Sequence, residues 1–125
     1  MKVKDNWIES AIQAISSVQI ANANGIYESE YKGYISAFGA AVIQSGLLPA
    51  VIFFENSDGN QDKKLLVKAI VFVLTSVGGY TIAPDRDFSQ FVRLFQDKDT
   101  LLNDVNHAAV ALKLALRTYK QNRND

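Results

Sequence analysis

Apolar positions recur at steps of three and four through most of this chain, and the polar breaks between them divide it into helices. Trp7, Ile8, Ala11, Ile12, Ile15 and Val18 form the first stripe, opened by Asn6 with Glu9 three residues later, a pair able to act as a capping box. A helix is predicted over about 6–22, stopping in Asn22-Ala23-Asn24-Gly25. Next comes the stretch that organises the chain, from Tyr31 to Phe54, without a charged side chain after Lys32. Such a run predicts burial. Tyr27, Tyr31, Tyr34, Phe38, Ala41 and Val42 fall on one helical face, so an aromatic seam is expected along a helix over about 28–45. Gly46 suits the left-handed backbone that closes it, and Pro49 suits the first turn of another helix over about 48–55. A membrane span is the rival reading, weakened by the glycines, serines, Gln44 and Pro49 that interrupt the run.

Ser57 to Gln61 is a polar turn by composition, and Asp62 is placed to cap a fourth helix carrying Leu65, Leu66, Ala69, Ile70, Val73, Leu74 and Val77, closed by Gly78-Gly79. Tyr80 to Pro84 reads as a crossing segment with one extended piece, because the residue before a proline avoids helix. Asp85 or Asp87 opens a short helix with Phe88, Phe91, Val92, Leu94 and Phe95 inward. The clearest pattern comes last: Leu101, Val105, Ala108, Leu112, Ala115 and Tyr119 alternate steps of four and three, a helix of about six turns. The expected fold is all-α, a single-domain bundle of five to six helices, with a polar tail of about 121–125 that frays.

With 125 residues the chain is one domain by length. It has no cysteine, hence neither disulfide framework nor thiolate nucleophile, and its Met1-Lys2-Val3-Lys4 start lacks a secretory pattern, so a cytoplasmic protein is expected. Thirteen basic and thirteen acidic residues cancel, so any polyanion site must come from local clustering.

Catalytic chemistry finds little footing. His107 is the single histidine; Asn103 and Asp104 stand one turn before it, which permits an Asp–His hydrogen bond but reads more simply as a surface histidine. Asp85 with Asp87, and Asp97 with Asp99, could pair on a cation, yet both pairs stand where helices begin and caps are needed. Basic clustering is the remaining signal. Lys113, Arg117 and Lys120 lie within about 60° of one another at about 100° per residue, with Arg123 at the edge. Such a stripe can pair with successive phosphates of a nucleic-acid backbone, and it equally suits a helix C-terminus and a soluble surface. Lys63, Lys64 and Lys68 on the fourth helix are a second basic group.

Trp7 early in the first helix, the aromatic helix Tyr31 to Val42, the turn Gln44-Ser45-Gly46-Leu47 running into an apolar helix that ends Phe53-Phe54, and a long closing helix ending in basic residues resemble the small helical subunit of the type III-B CRISPR RNA-guided effector (Cmr) complex. The similarity covers nearly the whole chain, and its motifs are packing signatures. The resemblance implies a non-enzymatic protein of antiviral defence, needing no metal, cofactor, membrane or small-molecule substrate. It implies several copies stacked as an inner filament beside the backbone and large subunits, lining the channel that holds guide RNA and target RNA. Trp7, Gly46-Leu47 and Phe53-Phe54 would then be structural positions, and the basic side chains named above would face RNA. Two other readings stay open: a helical adaptor or self-associating regulator without nucleic acid, separable by the salt dependence of binding, and a small hydrolase or nuclease using Asp85 and Asp87.

Overall fold

The computed structural model describes residues 3–57 and 59–122. Its elements run α1 (Asp5–Ser17), β1 (Ile26–Glu28), α2 (Glu30–Ser45), α3 (Leu47–Glu55), α4 (Gln61–Ser76), α5 (Phe88–Leu94), α6 (Lys98–Leu116) and β2 (Lys120–Asn122). The predicted all-α bundle is the fold observed, with one small addition, a parallel pair of three-residue strands. Helix α6 is the axis: it packs against α1, α4 and α2. Its sequence allows this because Leu101, Val105, Leu112 and Leu116 alternate with Ala108, Ala109, Ala111 and Ala115, all buried, and the alanines let neighbouring helices approach from several sides.

The junction between α2 and α3 follows from Gly46. Its φ of +96° is a backbone that side chains with a Cβ rarely adopt, its N–H donates to the Val42 carbonyl at 2.9 Å, and its own carbonyl accepts from the Ala50 N–H at 3.3 Å to start the next helix. One residue therefore stops one helix and starts another. The chain folds back so that Phe38 meets Phe54 edge to face, ring centroids 5.2 Å apart, both essentially unexposed. Burial of each ring is worth about 2–3 kcal/mol, so this aromatic pair anchors α3 to α2. The seam extends to buried Tyr31, whose hydroxyl donates to Asp62 at 2.9 Å; burial first, then that carboxylate, raises the phenol's pKa.

Several expectations need correction. Helix α1 stops at Ser17 rather than about 22, because Gln19 takes a left-handed φ of 67° that ends the ladder. It also begins at Asp5, ahead of Asn6, with no side-chain cap. Helix α4 is capped by Asn60, whose side chain accepts from the Lys63 N–H at 3.2 Å; Asp62 is instead the partner of Tyr31. Tyr80–Ile82 forms no strand: Tyr80 donates to Asp104 at 2.5 Å and its ring packs beside Phe91 and Phe95. The charge-free run is only half buried. Tyr31, Ile35, Phe38 and Val42 face inward, while Gly33, Ser36, Ala37, Ala40, Ile43 and Gln44 lie exposed on the opposite side of α2, Ile43 at 86%. Lys120–Asn122, expected in or next to the frayed tail, pairs as β2 against β1.

Among the described residues, no helix is long and apolar enough to cross a membrane.

Candidate nucleic-acid interface

The last turn of α6 tightens as it ends. Arg117 keeps helical angles, φ −66° and ψ −15°, as the C-cap; the Thr118 hydroxyl donates to the Ala115 carbonyl at 2.7 Å, and the Tyr119 N–H donates to the Leu116 carbonyl at 3.0 Å. These bonds occupy carbonyls that would otherwise be orphaned at a helix end. The chain then turns into β2. The Lys120 N–H donates to the Gly25 carbonyl at 3.0 Å, and the register sets Ile26 opposite Lys120, Tyr27 opposite Gln121 and Glu28 opposite Asn122. Tyr119 fixes the exit direction, since its hydroxyl reaches across to the Ile12 carbonyl on α1 at 2.7 Å.

This arrangement breaks the predicted helical stripe and builds a different site. Lys113 on α6 and Arg117 at its C-cap remain one turn apart and exposed, whereas Lys120 leaves the helix and is carried by the strand. Arg117 and Lys120 nevertheless line one open cleft of about 740 Å³, joined there by Lys32 from the first turns of α2. Among the described residues no carboxylate lines that cleft. Glu28 lies in the adjoining strand, and its carboxylate oxygens accept from Asn122 Nδ2, each at 3.2 Å. Lys113 does not line it, and Arg123 lies outside the described residues. Sequence reading missed Lys32 because its sharing a cleft with Lys120 depends on β1 pairing with β2, which no local periodicity signals.

The second basic group is split. Lys63 turns toward the start of α2 and the end of α3, its ammonium 4.7 Å from the Phe53 ring centroid and within 6 Å of those of Tyr34 and Phe54. Lys64 and Lys68 face a cleft of about 460 Å³ with Arg86, and there Glu55, Asp85 and Asp87 oppose them. Glu55 also does the work expected of the aspartates: its carboxylate accepts from the N–H groups of Phe88 at 2.6 Å and Ser89 at 3.1 Å, capping α5 from α3, while Asp87 makes no side-chain cap. Asp97 does cap α6, accepting from the N–H of Thr100 at 3.1 Å and its hydroxyl at 2.7 Å; the hydroxyl first, then the N–H, hold its carboxyl below the usual range.

Of the structural positions, Trp7 is 9% exposed and meets His107 edge to face at 6.0 Å, so the histidine is half buried rather than a free surface group. No Asp104–His107 hydrogen bond forms; Asp104 Oδ2 accepts instead from the Tyr80 hydroxyl. Leu47 is half buried against the core and Phe54 is enclosed, but Phe53 is 60% exposed and shielded partly by Lys63. Asp85 and Asp87 are exposed, and no group of three or more His, Asp or Glu placed to hold a metal occurs among the described residues.

Over residues 4–115 the chain matches the family described as CRISPR-associated protein (Cas_Cmr5). Comparison with curated proteins and with solved structures finds no match.

Proposed function

The chain belongs to the CRISPR-associated Cas_Cmr5 family, and from that premise we propose that it is the non-catalytic small subunit of a cytoplasmic type III-B Cmr effector, stacking as an inner filament and helping to hold the guide RNA–target RNA duplex in antiviral defence. The observation that carries the RNA-contacting part is the cleft lined by Lys32, Arg117 and Lys120 without a described carboxylate, with Lys113 extending the cations along α6. Cations gathered without internal counter-charge attract phosphates irrespective of base sequence. From Gly33 to Gln44 the exposed side of α2 carries no charge, which supports the protein-contacting part, since other subunits can cover that stretch without burying a charge.

The test is an effector reconstituted with the chain carrying Lys113→Ala, Arg117→Ala and Lys120→Ala, after its assembly has been verified. Each lost phosphate contact is expected to lower the slope of log affinity against log salt by about 0.7–0.9 units, whatever the RNA sequence. Unaltered affinity and slope would leave these cations as a solvated helix end.

A further inference from the structure

We infer that the cleft between α6 and the two-stranded sheet takes an unpaired stretch of RNA where it leaves the guide–target duplex, not the flank of the duplex itself, an inference that rests on the RNA-contacting role proposed above. Shape is the first argument. A cleft of about 740 Å³ is in the range, about 300–1,000 Å³, of pockets that enclose a small ligand, and so suits a nucleotide or two. An A-form duplex is a convex rod, and proteins that hold it do so by an extended surface following its minor grooves over about 16 base pairs. Here Lys32, Arg117 and Lys120 surround a single concavity drawn from three separate elements.

Chemistry is the second argument. Single-strand sites combine cations that track the phosphates with an aromatic ring on which a base can stack. Tyr119 lines this cleft, half buried, and its hydroxyl is fixed to the Ile12 carbonyl, so the ring is a wall whose position is already set. Preorganisation of that kind means little side-chain freedom is lost on binding. A duplex, with its bases stacked internally, cannot use the ring.

The experiment follows the backbone amide resonances of the full chain at low salt while it is titrated with a short oligouridylate, with the same strand annealed to its complement, and with inorganic pyrophosphate. The single strand is expected to bind about tenfold more tightly than the duplex, with shifts concentrated at residues 25–28 and 117–122. Lys32→Ala, an exposed substitution on α2, should weaken the single strand severalfold and reduce its salt dependence. Tyr119→Leu should narrow the gap between single strand and duplex. Equal or tighter duplex binding, displacement by pyrophosphate as effective as by the strand, or no shift at these amides up to millimolar RNA would each overturn the inference. Failure here with a reduced salt slope for the triple-alanine effector leaves the RNA-contacting role standing; an unaltered slope removes that role itself.

Discussion

The cleft beside the two-stranded sheet is lined by Lys32, Arg117 and Lys120; the cleft between α4 and the start of α5 is lined by Lys64, Lys68 and Arg86. Their cation counts are the same, and their characters differ because Glu55, Asp85 and Asp87 line the second while no described carboxylate lines the first. Carboxylates that line the same hollow as the lysines offset part of the attraction those lysines offer an incoming phosphate, and salt screens both. The lesson is that a basic cluster in sequence is not yet a basic site. What decides is which carboxylates the fold delivers to the same hollow, and in the second cleft one of them has a structural duty at a helix end.

That duty gives the largest expected effect. Glu55→Ala removes the partner of two N–H groups at the start of α5, and hydrogen bonds to a charged group contribute about 1.5–3 kcal/mol, so a loss of about 2 kcal/mol in unfolding free energy is expected, read from a denaturant midpoint. Glu55→Gln should lose less, since an amide oxygen still accepts. A midpoint unmoved by either change would mean that water serves these N–H groups equally well.

Charge reversal tests the contrast itself. Lys32→Glu in the assembled effector is expected to weaken RNA binding about tenfold at low salt and to lower the salt slope by about one unit, whereas Lys68→Glu, made in the neutralised cleft, should change affinity by less than about twofold. Equal losses from the two reversals would abolish the distinction between the clefts.

The helices were legible because long stretches repeat at the helical period, and the turn at Gly46 was legible because a positive φ there calls for glycine. The site was legible only in part. Arg117 and Lys120 could be paired by spacing alone, although the reason given, a continuous helix, fails at Leu116; it is the pairing of β1 with β2 that returns Lys120 to the same hollow. Strands of three residues are too short to show alternation. Lys32 and Glu55 stayed hidden for a related reason: each works with residues distant in sequence, Lys32 lining one cleft with Arg117 and Lys120 and Glu55 bonded to Phe88 and Ser89, and such arrangements follow from tertiary packing rather than from local pattern. The uncharged run misled because absence of charge permits burial and equally permits a face left open for a partner.

The smallest effect expected is a gain. Asp85 and Asp87 are exposed, and Asp87 makes no side-chain cap, so Asp85→Asn together with Asp87→Asn removes two negative charges from the second cleft while leaving the Glu55 bonds to α5 in place. Among the described residues, Lys64, Lys68 and Arg86 would then face a single carboxylate, itself occupied by two N–H groups. Losing acidic charge near a helix start costs about 0.3–1 kcal/mol, a small shift in thermal midpoint that can be measured separately. Should carboxylate balance be what separates the clefts, the double variant binds RNA about two- to fivefold more tightly at low salt, and the gain disappears as ionic strength rises. An increase that persists at high salt would point to something other than uncovered cations, and no increase would mean that the two hollows differ by shape rather than by charge.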